Sequence, residues 1–357
     1  MSDASRFAPV QDLLRSHLAT TSSALAAYVA NEHDAFSIVV GQRFADRDDA
    51  PVDDATLFDL ASLTKVLCTT PLVALAVQRG VLRLDEEVNA RWPDVTVEDL
   101  LRHRSGLPAW LPFFESVDRA GKAGTAEGKH VLLSLVEQTA PEHPRHAQTV
   151  YSDLGFIKLG ALLEDRLQAP LDVLFADLTH ALFADAALSF LPLHDGVPTS
   201  LAHIAPTERC PWRKRVVHGQ VHDDNCFAMG GVAGHAGLFG TLDATAQAAC
   251  ALRAVKQGTS TWEAADVLRG FMHDDIAQGD NDIRPVGFDK PTAGGSTGGA
   301  LSSSAVGHLA FSGCSLWLDD DEVYVLLSNR IHPSRDNNAI RELRPAFHQA
   351  ASRALRG

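Results

Sequence analysis

The sequence predicts an α+β fold in which an antiparallel β-sheet flanked by helices is built from the two ends of the chain, with an inserted, mainly α-helical domain between them. Short β-rich runs near both ends and helical periodicity across the middle are the observations behind this prediction. The expected boundaries are residues 1–65 and 245–357 for the sheet domain and 66–244 for the helical domain. A candidate site is expected between the two domains.

The N-terminal segment predicts a helix followed by a β-hairpin. Residues 8–20 are amphipathic with helical spacing. Ser23–Ala30 and Phe36–Val40 are apolar and β-rich, and the polar residues Asn31–Asp34 separate them. Two such runs joined by a short polar turn are typical of a hairpin.

The next apolar run predicts a buried helix. Its apolar residues extend from Val66 to Val77, and the helix is expected to start near Ala61 and end near Gly80. Pro71 lies inside this run and is expected to kink the helix or divide it.

The middle of the chain is dominated by helical periodicity, interrupted by proline-bearing loops. The predicted helices cover residues 97–103, 131–138, 154–167, 171–183 and 242–255. Residues 200–240 are rich in Gly, His and Asp with little periodicity, and they predict mostly loop.

The C-terminal part predicts a loop, two strands and a helix. Residues 281–300 are rich in Gly, Ser, Thr and Pro and predict a loop. Gly307–Leu318 and Glu322–Ser328 read as strands joined by a turn at Asp319–Asp321, and an amphipathic helix covers Asn338–Leu355.

Composition narrows the classes of function. The chain has 357 residues and a formal net charge of -14, which disfavours nucleic acid and anionic membrane surfaces as partners. No apolar run approaches the roughly 18 residues of a membrane span. Five cysteines without a C-x-x-C pair are typical of free thiols, and the first ten residues lack the features of a secretion signal. A cytoplasmic protein is therefore expected.

Ser62 and Lys65 form a Ser-x-x-Lys quartet at the start of the predicted buried helix. A serine attacks carbonyls only when a base takes its proton, and a lysine three residues on projects from the same helix face. Burial that lowers the pKa of such a lysine would make it the base. The quartet alone has a plain alternative, because it arises by chance about once or twice in such a chain and a serine is an ordinary helix cap.

Two further positions are candidates for the same site. Tyr151, at the head of a predicted helix, would serve as a general base if a nearby ammonium lowered its pKa. His308 lies in a predicted strand whose edge could offer a backbone N–H to an oxyanion. Taken alone, Tyr151 is more simply a core tyrosine, and His308 is more simply an ordinary strand histidine.

Three other patterns give weaker evidence of a functional site. His218 and His222 have the spacing of a metal pair on a helix, but the intervening Gly219 and the loop-like context argue against one. Gly294–Gly299 lacks the Lys-Ser/Thr of a phosphate loop, and Cys314 is read as buried packing. No metal and no cofactor are expected.

The order and spacing of these motifs resemble the serine β-lactamase-related family, which includes class C β-lactamases, low-molecular-mass penicillin-binding proteins and related esterases. The resemblance covers nearly the whole chain. The matching segments are Phe58–Lys65, Gly80–Asp85, Leu100–Pro108, Tyr151–Asp153, Val221–Asn225 with Gly230–Phe239, and Gly307–Gly313.

The resemblance implies the family's fold and a serine hydrolase that works through an acyl-enzyme. Ser62 would attack the carbonyl, while Lys65 and Tyr151 share the proton transfers. The resemblance also implies that the backbone N–H groups of Ser62 and Phe311 hold the oxyanion. Substrate-binding roles fall on Asp153, His308, Ala310 and Phe311. The implied partner is a small-molecule or peptide substrate, and the oligomeric state stays open.

Three positions depart from the pattern of the lactamases. Asp153 stands where they carry Asn, which should raise the pKa of Lys65. Ala310 replaces a Gly, and His308 replaces a Lys, so a mostly neutral imidazole faces the substrate. Asp153 and His308 are expected to orient the substrate.

Esters, D-alanyl peptides and β-lactams compete as substrates, with esters or peptides favoured. The alternative is a penicillin-binding-like protein that acylates or binds ligand with little turnover.

Overall fold

The structure, a computed structural model, describes residues 6–18, 20–193, 201–273 and 284–357. Parts of the predicted helix 8–20 and of the predicted loops 200–240 and 281–300 lie outside the described residues. Within the described ranges, no helix combines the length and the apolarity needed to cross a bilayer.

A five-stranded antiparallel sheet in the order β2-β1-β10-β9-β8 joins the two ends of the chain. Its strands are β1 Ala24–Ala30, β2 Ala35–Gly41, β8 Val306–Leu309, β9 Ser315–Asp319 and β10 Glu322–Ser328. The pairing of β1 with β10 confirms that the N- and C-terminal segments form one sheet. Strand β8 lies at its edge.

The predicted single strand Gly307–Leu318 is wrong, because the chain turns back within it. The N–H of Ala310 donates to the carbonyl of Cys314 at 2.8 Å, and the turn separates β8 from β9. Gly313 adopts a φ of 98°, a left-handed conformation that glycine accepts without strain.

Shorter strands form two small sheets that the sequence analysis missed. One has the order β3-β7-β4 and the other pairs β5 with β6. These strands are β3 Phe58–Asp59, β4 Leu188–Phe190, β5 Arg209–Cys210, β6 Arg215–Val216 and β7 Leu238–Gly240.

Helices cover both faces of the large sheet and fill the middle of the chain. They are α1 Ala8–Ser16, α2 Thr70–Gln78, α3 Val97–Leu101, α4 Phe113–Arg119, α5 Ala126–Gln138, α6 Asp153–Leu167, α7 Leu171–Leu182, α8 Asp224–Ala228, α9 Leu242–Gln257, α10 Ala265–His273 and α11 Ile340–Arg356. The predicted middle helices are confirmed with shifted ends, whereas α4, α8 and α10 were not predicted.

The two faces of the sheet follow the alternation of side chains along its strands. In β1, Leu25 and Ala27 pack with the apolar residues of α1 and α11. Ala24 and Ala26 point to the opposite face and join the main core with α9. The sheet is therefore covered by helices on both sides.

The helix after the candidate serine differs from the prediction. A π-helical segment, Lys65–Thr69, leads directly into α2. Pro71 comes two residues after the π-helical segment, inside a run of helix that continues from Leu63 to Gln78, so it does not divide the helix. Wider π-helical turns occur often at functional sites.

Candidate active site

Ser62 lies at the end of a tight turn that connects β3 with the π-helical segment. The carboxylate of Asp59 holds this turn by accepting hydrogen bonds from the N–H of Ala61 at 2.8 Å and of His222 at 2.7 Å. Ala61 has a φ of 44°, an uncommon left-handed conformation for a residue with a Cβ. The turn places Ser62 in the wall of a cavity of about 570 Å³.

The backbone around the serine offers two uncommitted donors. Among the hydrogen bonds of the described residues, neither the N–H of Ser62 nor that of Phe311 has an acceptor. Both residues line the same cavity, Ser62 just before a helix and Phe311 two residues after the end of the edge strand β8. Two free N–H groups of this kind are what an oxyanion hole requires. Their role in holding an oxyanion stays a prediction.

Lys65 is fully buried, and its ammonium has three acceptors. Its Nζ donates to Ser62 Oγ at 3.2 Å, to Asp153 Oδ1 at 2.7 Å and to the carbonyl of His235 at 3.0 Å. Burial alone would lower the pKa of Lys65, but the Asp153 carboxylate and then Tyr151 outweigh it, so the pKa is raised. Asp153 therefore acts on Lys65 as expected, and the resting site holds a charged lysine.

Tyr151 faces this pair, and its buried hydroxyl interacts with Lys65 and Ser62 without a hydrogen bond of good geometry to either. Burial raises the pKa of Tyr151 to about 12, and the nearby Lys65 ammonium offsets only part of this effect. The expectation that an ammonium would lower the pKa below its ordinary value is therefore wrong, because burial of the phenol dominates.

The segment carrying Tyr151 is held by the distinctive motif of residues 100–108. His103 Nδ1 accepts a hydrogen bond from the N–H of Ser152 at 3.0 Å, and the His103 ring lies 4.6 Å from that of Tyr151. The Ser152 hydroxyl donates to the carbonyl of Pro108 at 2.7 Å. This motif therefore positions the tyrosine and does not itself line the cavity.

His308 is buried in β8, with its ring 5.7 Å from that of Tyr151. Its Nδ1 lies 2.7 Å from the carbonyl of Leu309, and because a carbonyl only accepts, Nδ1 carries the proton. Burial lowers the pKa of His308 to about 4. The imidazole is therefore neutral at neutral pH, as expected, and Nε2 is a hydrogen-bond acceptor.

The cavity wall also carries ion pairs that the sequence analysis missed. Arg284 pairs with Asp289 on one side. On the other side Arg335 forms two hydrogen bonds with Glu208 and lies 3.3 Å from Asp224. Both arginines of the wall thus already have carboxylate partners.

The histidine-rich loop does not form a metal pair on a helix. His218 Nε2 bonds to the carbonyl of Ile204 at 2.8 Å, and His235 Nε2 bonds to Asp223 at 2.8 Å. Across the described part of the chain, no group of three or more metal-ligating side chains is placed to hold an ion. The loop instead contributes His222 and His235 to the cavity wall.

The structure brings the predicted site residues together around one cavity. Lys65 lies behind the wall, bonded to Ser62, and the other predicted residues line it. These are Ser62, Tyr151, Asp153, His308, Ala310 and Phe311. A half-buried serine followed by a buried lysine in a Ser-x-x-Lys motif, between an antiparallel sheet and a group of helices, is typical of the β-lactamase/transpeptidase class of fold.

The chain belongs to the Beta-lactamase family, whose model matches residues 10–346. It is 31% identical over 228 residues to an N-acetylmuramyl-L-alanine amidase of Bacillus subtilis, covering 55% of this chain and 50% of the relative. It is 30% identical over 217 residues to a putative D-alanyl-D-alanine carboxypeptidase of Escherichia coli, covering 52% and 48%. The chain thus spans about half the length of the curated relatives it matches.

Solved structures support the same fold. A simvastatin synthase mutant from Aspergillus terreus matches with a TM-score of 0.69 and 16% identity, covering 97% of this chain and 98% of the other. EstCE1, a hydrolase with promiscuous acyltransferase activity, matches with a TM-score of 0.69 and 16% identity, covering 97% and 99%. At this level of identity the likeness concerns the fold, and it confirms the predicted fold class, whereas the predicted family is confirmed by the family model.

Proposed function

We propose that this chain is a serine hydrolase that cleaves an uncharged ester or amide through an acyl-enzyme on Ser62. The observation that carries the proposal is the contact of 3.2 Å between Ser62 Oγ and the buried Lys65 Nζ, beside two uncommitted backbone N–H groups. Nucleophile, proton carrier and oxyanion donors are thus assembled at one cavity.

In the proposed acylation, Lys65 or Tyr151 has first lost its own proton; Ser62 Oγ then bonds to the substrate carbonyl carbon while its proton passes to the neutral Lys65 Nζ or the Tyr151 phenolate. The N–H groups of Ser62 and Phe311 hold the oxyanion. The leaving group departs with the proton returned by the same residues. Water then attacks the acyl-enzyme by the reverse sequence and releases the acid and Ser62. Because the pKa values of both proton carriers are raised, activity should increase toward alkaline pH.

The charges of the cavity favour a substrate without a carboxylate. Four aspartates and two arginines line it, and each of them already has a partner of its own. His308, at the position where the lactamases carry a lysine, is neutral, so no free cation of the described wall awaits an anion. β-Lactams and C-terminal D-alanyl peptides carry such an anion, and esters or internal amides do not.

The mouth of the cavity supplies apolar contact instead. Trp110 and Phe311 line it with 41% and 48% of their surface exposed, which is unusual for large apolar side chains. Such surfaces bind the apolar part of a small molecule or peptide. The relatives named amidase and carboxypeptidase support amide bonds as candidates beside esters.

A second candidate function is a penicillin-binding-like protein that is acylated but turns over little. The Lys65–Asp153 ion pair favours it, because a lysine held charged is a poor base for deacylation. Ala310 lines the same cavity, and its methyl group lies where the lactamases carry a glycine, which would crowd a substrate amide. A single burst of product without steady turnover would support this function.

The cellular setting follows from composition. All five cysteines are free, which favours a reducing compartment such as the cytoplasm. The net charge of -14 disfavours nucleic acid and anionic membrane surfaces as partners. A small molecule or peptide is therefore the proposed partner.

The test compares 4-nitrophenyl acetate, a chromogenic cephalosporin and a D-alanyl-D-alanine peptide, with Ser62→Ala as the control variant. The proposal predicts multiple turnovers of the ester, weak turnover of the two anionic substrates, and no turnover above background for Ser62→Ala. Equal ester hydrolysis by the wild type and Ser62→Ala would overturn it. Preference for the cephalosporin would overturn the assignment of substrate class.

A further inference from the structure

The turn between β8 and β9, residues 310–314, carries the backbone N–H of Phe311 and is held by two arginines. Arg344, from α11, donates through Nη2 to the carbonyl of Ala310 at 2.8 Å and to that of Cys314 at 2.7 Å. Arg330 donates through Nε to the carbonyl of Phe311 at 2.8 Å.

The two arginines act on different peptide groups. The carbonyl of Ala310 and the N–H of Phe311 belong to the same planar peptide. Arg344 therefore binds one end of the peptide whose other end is uncommitted at the cavity. The carbonyl that Arg330 binds belongs to the following peptide, so Arg330 holds the turn without touching this group.

Arg344 is a buried cation without a counter-charge. Its side chain is 8% exposed, and none of the described carboxylates lies within ion-pair distance of it. Burial lowers the pKa of Arg344 to about 10, which leaves the guanidinium charged at neutral pH. Burying an unpaired charge is costly, so we expect the buried Arg344 guanidinium, which binds backbone carbonyls of this turn, to have a function there.

We propose that Arg344 is a positioning residue for the reaction, one that orients and polarises the Ala310–Phe311 peptide and so strengthens the Phe311 N–H as an oxyanion donor. A cation on a peptide carbonyl withdraws electron density and makes the N–H at the other end a better donor, as in chains of cooperative hydrogen bonds. The benefit is largest where negative charge develops in the transition state. This inference rests on the proposed function, because it needs an oxyanion to form at Ser62.

The experiment measures kcat and KM for 4-nitrophenyl acetate together with the affinity for phenylboronic acid, which forms a tetrahedral adduct on a nucleophilic serine. Arg344→Gln removes the charge but keeps a neutral donor. Arg344→Lys keeps the charge. Arg356→Gln is the matched control on the same helix, because Arg356 pairs with Glu322 and Asp319 in the sheet and lies away from the turn.

For Arg344→Gln we expect kcat and the affinity for phenylboronic acid to fall together by about tenfold, with KM within about twofold of the wild type. Arg344→Lys should restore most of the loss, and Arg356→Gln should change neither value even if it lowers the unfolding temperature. Unchanged kcat and boronate affinity in a folded Arg344→Gln would overturn the inference.

These measurements distinguish a failure of the Arg344 inference from a failure of the proposed hydrolase function. If the wild type and Ser62→Ala hydrolyse the ester equally, the proposed function fails and the Arg344 comparison loses its basis. If Ser62→Ala is inactive but Arg344→Gln is as active as the wild type, only the inference fails. If Arg344→Gln does not fold, a folded Arg344→Lys that loses more than about tenfold in kcat would contradict a role for the charge.

Discussion

Replacing Asp153 by asparagine should turn Lys65 into a better base. Asn keeps the shape and an acceptor oxygen but removes the negative charge 2.7 Å from Lys65 Nζ. An opposite charge stabilises the ammonium, so its removal must lower the pKa of Lys65 and increase the fraction of neutral amine. The sign is opposite to that of most substitutions at a candidate active site, which lower activity.

The size of the change in the pKa of Lys65 follows from the distance between Lys65 Nζ and Asp153 Oδ1 and from the burial of the pair. Coulomb's law with an effective dielectric constant of about 20 gives about 6 kcal/mol at this separation, an upper value because Asp153 is 18% exposed and the asparagine oxygen stays as an acceptor. A neighbouring charge usually shifts a pKa by one to three units, or about 1.4 to 4 kcal/mol. The gain in neutral amine is partly offset by its weaker basicity, which leaves an increase in kcat/KM of about threefold to thirtyfold at neutral pH.

The assay is the pH profile of kcat/KM for 4-nitrophenyl acetate from about pH 6 to about pH 10, with the Ser62→Ala rate subtracted at each pH. The acidic limb should move to lower pH by one to three units in Asp153→Asn. Asp289→Asn is the matched control, because Asp289 lines the same cavity but pairs with Arg284. An unmoved limb in a folded Asp153→Asn variant would refute Lys65 as the base.

Two further predictions concern neighbouring residues. Tyr151→Phe removes a buried hydroxyl that makes no hydrogen bond of good geometry within the described part of the chain, so the free energy of unfolding should stay equal or rise by about 1 kcal/mol, while kcat falls by roughly 10²–10⁴-fold. Denaturant unfolding and ester kinetics on one preparation check both, and a loss of stability equal to the loss of activity would contradict this reasoning. Burial lowers the pKa of His308 to about 4, so below about pH 6.5 the unfolded chain takes up a proton that the folded chain refuses, and stability falls by up to about 3 kcal/mol on reaching pH 4. Urea unfolding at about pH 6.5 and about pH 4 measures this loss, and His308→Gln should lose less stability between the two pH values than the wild type. An equal loss in both proteins would contradict the assigned pKa of His308.

Local patterns predicted the elements that depend on local physics. The β1–β2 hairpin was predicted because its turn is polar, and Asn31 closes that turn by accepting from the N–H groups of His33 and Asp34. The helices of the middle region were found for the same reason, since each carries its own apolar periodicity. The pairing of the chain ends followed from the order of the elements.

What the sequence analysis missed depends on contacts between distant residues. The run from Gly307 to Leu318 is mostly apolar, so its Ser312-Gly313 pair was read as part of a strand and not as a turn. The π-helical segment begins at Lys65, whose partners Asp153 and His235 lie 88 and 170 residues away. The same holds for Arg344, because nothing near it in sequence indicates that it binds the carbonyl of Ala310.

The sequence predicted which residues lie together at the candidate site but not all of their electrostatics, and their roles stay predictions. Motif order placed Ser62, Lys65, Tyr151 and His308 together, and the structure has three of them in the cavity wall, with Lys65 behind the wall and bonded to Ser62. The pKa of Tyr151 was predicted in the wrong direction, because a short sequence motif does not show how deeply its tyrosine is buried.

The central claim is that Ser62 is the nucleophile, and covalent labelling tests it most directly. Incubation with a fluorophosphonate, followed by intact mass measurement and peptide mapping, should add one phosphonyl group to Ser62 in the wild type. The Ser62→Ala variant should remain unlabelled, and Arg356→Gln should be labelled as fast as the wild type. Labelling that persists in Ser62→Ala, or a wild type that never reacts, would contradict the account.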